Sequence, residues 1–248
     1  PTFAADFTIV DGQTETTQGV LNGDPDNTGI IEAGGTLTTT VDAISVTGSD
    51  NTITNSGIID AANDGIHSSG ANATITNSGT IDAADDGIRS FGVNAIITNS
   101  GTIDAGDDGI VSDATNAIIT NSGNINATDV GIFLGSDSHN AVITNSGNIT
   151  STTNDGIYAL GDDAIITNSG NITGADEGID SRGANAIITN SGTINAGDDG
   201  IVSGGAGSII NNSGIINGGN NGIALYGINT IITNSGTITG NVVGIFSS

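Results

Sequence analysis

Apolar residues in this chain return in a fixed order of three. The first stands two residues ahead of the Asn of an Asn-Ser-Gly run, at Ile53, Ile75, Ile97, Ile119, Ile143, Ile166, Ile188, Ile210 and Ile232. The second lies six residues further on, at Ile59, Ile81, Ile103, Ile125, Ile149, Ile172, Ile194, Ile216 and Ile238. The third follows a glycine, at Ile66, Ile88, Ile110, Ile132, Ile157, Ile179, Ile201, Ile223 and Ile245. Each sits in a short alternating run rich in β-branched residues, the period-two signature of a strand. Glycine fills 40 of 248 positions, and Asn, Asp and Thr occupy the intervals, a composition that excludes helix.

The Asn-Ser-Gly tripeptide sets the period. It begins at Asn55, Asn77, Asn99, Asn121, Asn145, Asn168, Asn190, Asn212 and Asn234, with gaps of 22, 22, 22, 24, 23, 22, 22 and 22 residues. A period in the twenties marks one supersecondary unit stacked on itself. Three strands per unit predict an all-β, right-handed parallel β-helix, each coil roughly 4.8 Å above the last. The right-handed form is preferred because the strand spacing lacks the even six-residue step of hexapeptide solenoids. Isoleucine columns would fill the bore. Asn side chains beside that core need polar partners, and the same Asn in the next coil supplies one, giving a structural ladder.

Counting back one period from Ile53, Ile59 and Ile66 lands on Ile31, Leu37 and Ile44. The expectation is therefore a parallel β-helix over 31–248, about ten coils long. Residues 1–30 fall outside the frame and carry Phe3, Phe7, Ile9, Val10, Val20 and Leu21. They read as an amino-terminal cap or an inter-subunit connector, because a bare solenoid end is an unpaired sheet edge. The start at Pro1 rather than Met suggests a processed terminus.

Charge narrows the partners. Two basic residues against 27 acidic ones give a net charge of −25, which argues against nucleic acid and anionic membranes. No apolar stretch is long enough for a membrane-spanning helix, so no membrane insertion is expected. Cysteine is absent, which removes disulfide and thiol chemistry.

Units such as ATITNSGTIDAADDGIRSFG (73–92), after the lead-in IIEAGGTLTTTVDAISVTGSDNTITNSG (30–57), resemble the repeat-rich passenger regions of Gram-negative autotransporters and related secreted β-helix surface proteins. The resemblance covers about residues 29–248 and implies an extracellular or bacterial cell-surface location. Proteins of that kind serve as adhesin stalks, biofilm components and enzyme scaffolds.

Candidate chemistry lies in two places. Acidic pairs precede the glycine of the third strand, including Asp64, Asp85 with Asp86, and Asp107 with Asp108. A shorter stack, Asp60, Asp82 and Asp104, follows the second-strand Ile. Carboxylates stacked at strand spacing repel one another, and a hard cation such as Ca²⁺ would relieve them. The competing reading is that these are turn residues facing water. No acid/base constellation converges, since the acids recur with the scaffold period and the two arginines are about four coils apart. A Ca-dependent polysaccharide-active β-helix is accordingly a remote alternative, and no enzyme activity is expected.

The second place is where the repeat stops repeating. One and three residues beyond the third-strand Ile stand His67, Arg89, Phe91, Phe133, Tyr158, Leu160, Arg182, Tyr226 and Phe246. Bulky side chains gathered on one strand of a small-residue rod predict an interaction face. The resulting expectation is a non-enzymatic extracellular structural protein. It would self-assemble, end to end or laterally, into a surface filament or adhesive fibre. The alternative is a monomeric adhesin stalk, a fragment of a longer passenger, that binds glycan or a host surface.

Overall fold

A computed structural model describes residues 6–21 and 26–248. Among these residues every regular element is a strand, and no helix is long and apolar enough to cross a membrane. The strands fall into three parallel sheets of 11 strands each, and consecutive strands of the chain visit the sheets in turn. One visit to all three sheets is a coil, so the molecule is a β-solenoid of eleven coils. Ten strand spacings make the stack about 48 Å tall.

The isoleucine triplets form the core. Ile75 pairs in register with Ile53 and Ile97, Ile81 with Ile59 and Ile103, and Ile88 with Ile66 and Ile110. From Ile53 to Ile223 these side chains are buried. Alternation within each strand sends every second residue inward, so each isoleucine meets its own copy above and below.

The tight Asn-Ser-Gly bend depends on the missing side chain of its glycine. A Cβ on Gly79 would lie 2.1 Å from the carbonyl oxygen of Gly57 one coil away, so the two backbones approach where no other residue fits. A second bend, before each strand of sheet one, has positive φ at Asp50, Asn72, Asn94, Asn116, Asn140, Asp163, Asn185 and Asn229. Asn and Asp tolerate that left-handed conformation better than other side-chain-bearing residues, which accounts for their recurrence there.

The amino-terminal end departs from the expected frame. Phe7–Ile9, Thr14–Glu15 and Gly19–Leu21 form the first coil and pair with Thr28–Ile31, Thr36–Thr39 and Ile44–Val46 of the second. The count is therefore eleven rather than ten, and 6–21 belong to the solenoid instead of an off-frame cap. Phe3 and residues 22–25 lie outside the described residues. Phe7 is the substitute for a repeating core position. A Cβ on Gly19 or Gly29 would come within 2.6 or 2.7 Å of its ring, so the phenyl group fills space that three side chains share elsewhere.

The register of Ile31 also differs. It pairs with Asn55, while Gly29 stands opposite Ile53. The offset is two residues, which preserves the inward side of the pleat, and Ile31 remains buried. Leu37 and Ile44 pair with Ile59 and Ile66 as the period requires.

Candidate functional site

The Asn column lies at the bend between sheets one and two. Asn55 Nδ2 donates to Asn77 Oδ1, Asn77 to Asn99, Asn99 to Asn121, and so on through Asn145, Asn168, Asn190 and Asn212 to Asn234, each at 2.8 Å. The same amide donates to a carbonyl of the next coil, as Asn55 does to Thr80 at 3.0 Å. A buried amide carries both a donor and an acceptor, so identical copies can satisfy one another.

The acidic column lies at the bend between sheets two and three, and carboxylates cannot do this. Each instead accepts a backbone N–H from the following coil. Asp64 Oδ1 takes the N–H of Asp86 at 3.3 Å, Asp86 that of Asp108 at 3.2 Å, and Asp108 that of Val130 at 2.8 Å. Asp155 and Asp199 receive Glu177 and Asn221 in the same way, at 3.0 and 2.9 Å. The column is thus partly scaffold. It remains electrostatically loaded: burial, then the charge of Asp108, pushes Asp86 up to about 7. Burial likewise lifts Asp108 to about 6 and raises Asp64 and Asp155. Glu177 rises to about 9, through burial and a hydrogen bond that favours its protonated form beside Asp155.

Among the described residues, five groups of three side chains bring potential ligand atoms within 4.8 Å of one another and could hold a metal. They are Asp42, Asp64 and His67; Asp85, Asp86 and Asp107; Asp107, Asp108 and Asp129; Asp155, Asp176 and Glu177; and Glu177, Asp198 and Asp199. The stack Asp60, Asp82 and Asp104 stands apart from these groups, exposed on the outer face of sheet two. Asp104 there accepts a hydrogen bond from Asn126 at 2.7 Å.

The bulky residues of the third strand share the outer face of sheet three. His67 Nδ1 lies 3.0 Å from Asp64, and its ring meets Phe91 edge-on with centroids 5.8 Å apart. Arg89 sits over Phe91 at 5.0 Å and 3.7 Å from Asp86. Phe133 packs on Tyr158 at 5.6 Å, and Tyr226 on Phe246 at 6.0 Å. Arg182 lies over Tyr158 at 5.1 Å, with its Nη2 2.7 Å from Asp180. Leu160 is half-buried in the same row.

Between these large residues the face sinks into two hollows. The first, of about 340 Å³, is floored by Val111 and bounded by Arg89, Phe91, Phe133 and five aspartates, Asp85, Asp86, Asp107, Asp108 and Asp113. The second, of about 410 Å³, is floored by Val202 and Gly204 and bounded by Arg182, Tyr226, Asn220 and four acids, Glu177, Asp180, Asp198 and Asp199. Val111 and Val202 point outward yet are only 7% exposed, because taller side chains on neighbouring coils stand over them. Two buried polar atoms beside the hollows, Arg89 Nε and Asp180 Oδ1, have no hydrogen-bond partner.

Two further columns are absent from the sequence reading. Inside sheet three, the Oγ atoms of Ser68, Ser90, Ser112, Ser181 and Ser203 are buried without partners. Outside sheet one, an apolar column lies on the surface: Ile96, Ile118, Ile165, Ile187 and Ile231 are 36–59% exposed. Val142 and Ile209 continue it in register. Its signal was the Ile-Ile doublet of units such as Ala95-Ile96-Ile97-Thr98. Neighbouring strand residues point to opposite faces, so one isoleucine of each doublet must face out.

Comparison of the chain with family models, curated proteins and solved structures returned no match.

Proposed function

We propose that this chain is a non-enzymatic structural rod that assembles side by side with copies of itself through sheet one. The observation that carries this reading is the exposed isoleucine column. Apolar surface contiguous over many coils is characteristic of an association surface. Charge points to the same face. The molecule carries a net charge of −25, yet the outward positions of sheet one, from Thr8 to Thr233, hold only uncharged residues. Contact along this strip brings no strand-borne charges of the two acidic rods face to face. An isoleucine comb with the pitch of a β-ladder is matched tooth for tooth only by a surface of the same pitch, and a second copy provides one. The acids support a scaffold role, since they recur with the coil and cap backbone N–H groups rather than converging on one point. An extracellular or cell-surface setting agrees with this reading and with the resemblance to autotransporter passengers.

End-to-end growth is a second reading. It is favoured by the unpaired edge of Ile231–Asn234, Thr237–Gly240 and Val243–Ser247, where Ile231, Val242 and Ile245 are 59, 69 and 48% exposed. An open strand edge of this kind can pair with a second copy.

Electron microscopy and sedimentation of the purified chain test the proposal. Wild-type protein should form lateral bundles that grow with salt, as screening weakens repulsion between acidic rods. Replacing both Ile118 and Ile165 by Lys should leave the circular dichroism unchanged and abolish the bundles. Bundles that persist in the double variant, or a wild-type chain that stays monomeric at all salt concentrations, would overturn it. Single-file fibres unaffected by the substitutions would favour end-to-end growth.

A further inference from the structure

We infer that the two hollows of sheet three are seats for lysine side chains of a basic polypeptide lying along the rod. The inference concerns a different face from the isoleucine column and stands independently of it.

Composition of the hollows selects a cation. The second is bounded by Asp180, Asp198 and Asp199, and by Glu177, which holds its proton beside Asp155, with Arg182 as its one basic group. The first holds five aspartates against Arg89. An anionic ligand would meet uncompensated repulsion in either. Long-range attraction from a chain of net charge −25 would steer a basic segment toward both.

The shape of each hollow fits a lysine in particular. A lysine presents an apolar stem and a charged head, and each hollow has an apolar floor, Val111 or Val202, below acidic walls. An aromatic ring stands at each rim, Phe133 at the first and Tyr226 at the second, where it can face an ammonium group. In the second hollow the wall residue Asp180 is 1% exposed, and its Oδ1 has no partner within the protein. A buried carboxylate oxygen without a donor is costly, and an arriving N–H group is the donor it lacks.

The fold already holds a cation in this manner twice. Arg182 lies over Tyr158 at 5.1 Å and pairs with Asp180 at 2.7 Å. Arg89 lies over Phe91 at 5.0 Å and is 3.7 Å from Asp86. Ligand lysines would repeat that arrangement one coil further along.

Spacing adds a constraint. Val111 and Val202 are four coils apart on sheet three, a separation of about 19 Å. An extended peptide covers that distance in about six residues, an even number, so both lysines leave the same side of the strand. Two weak seats joined by one peptide would gain through effective concentration.

Fluorescence anisotropy with labelled peptides tests the inference at fixed ionic strength. One peptide carries two lysines about six residues apart in a Gly-Ser background; its control has the same composition with the lysines adjacent. The spaced peptide should bind the wild-type chain at least ~10-fold more tightly than the control. Gly204→Leu should erase that difference while leaving net charge unaltered. The three atoms nearest a Cβ at Gly204 all belong to Arg182 and none is closer than 3.4 Å, so the backbone admits a side chain over the hollow. Tyr226→Ser, at a position 55% exposed, is a second variant that leaves the core untouched and should weaken the spaced peptide. Equal affinity for both peptides, or unchanged binding in Gly204→Leu, would reduce the effect to diffuse charge attraction and overturn the inference. So would displacement of the spaced peptide by stoichiometric CaCl₂, which would assign the acids to a metal.

Discussion

The asparagine column and the acidic column are stacked at the same pitch, at neighbouring bends of the same coils, yet only the asparagines satisfy one another. Each Asn amide donates at 2.8 Å to its copy in the next coil, because donor and acceptor sit on one side chain. A carboxylate offers acceptors alone. Asp86 therefore borrows a backbone N–H from Asp108, and what remains is repulsion that burial magnifies. A column of amides can be purely structural. A column of acids retains unmet electrostatic demand, and the two hollows open against that column.

The sharpest way to break this comparison is to put an acid into the amide ladder. Asn121→Asp keeps an acceptor for Asn99 but loses the donor to Asn145 Oδ1, Asn148 O and Gly123 O. It also places a charge at a fully buried site. The expected loss is about 3 kcal/mol or more, read from the denaturant midpoint. A variant as stable as the parent would show that the ladder contributes little.

A smaller effect is expected from pH. Asp86 and Asp108 have folded values of about 7 and about 6, above the ~3.9 of an unperturbed Asp. Between pH ~4 and ~7 the folded state therefore binds more protons than the unfolded state, and stability falls as pH rises through that window. The slope contributed by one such group is at most about 1.4 kcal/mol per pH unit. Repulsion among the other acids acts in the same direction, so the column is isolated by difference. Melting temperature should drop from pH 5 to pH 8, and drop less in Asp86→Asn. Identical slopes in parent and variant would remove the column as the cause. The amide can adopt the role seen at Asn221, whose Nδ2 donates to Asp199 Oδ1 at 2.8 Å.

The smallest effect belongs to the inward serines. Ser112 Oγ is buried without a partner, and the chain itself places Leu134 and Ala159 in the same column. Ser112→Ala should change stability by less than about 1 kcal/mol, neutral or in the stabilising direction. A clear loss in thermal denaturation would mean that the hydroxyl has a partner after all.

The core was legible because it is periodic. Isoleucines at fixed offsets from Asn-Ser-Gly can only stack, and Ile97 pairs with Ile119 accordingly. Where the offsets change, the reading failed. Ile31 lies one period before Ile53 yet pairs with Asn55, and a shift of two residues leaves the inward pattern intact and so is invisible to hydrophobicity alone. The first coil was missed because Phe7, Gly19 and Gly29 solve the packing together, with one ring over two glycines. The large residues of sheet three were found, but the hollows between them were not. Depth on this face is set by neighbours about 22 residues away, as Val111 is overshadowed by Arg89 and Phe133. Outward residues of successive coils, Arg89, Val111 and Phe133, carry that large-small-large sequence.

The glycine bend has one more consequence. Since a side chain at Gly79 would strike the backbone of Gly57, and one at Gly101 the backbone of Gly79, every coil is seated against its neighbour rather than against a distant surface. The rod is in effect a one-dimensional crystal whose unit cell is a coil. Its tolerated defects, the longer turns around Gly135–Asn140 and Ser151–Asn154, bulge at the lattice boundary while the ladder of Asn121, Asn145 and Asn168 runs on unbroken. Such a lattice can lengthen or shorten by whole cells through duplication or loss of a gene segment, with no other part of the molecule having to change.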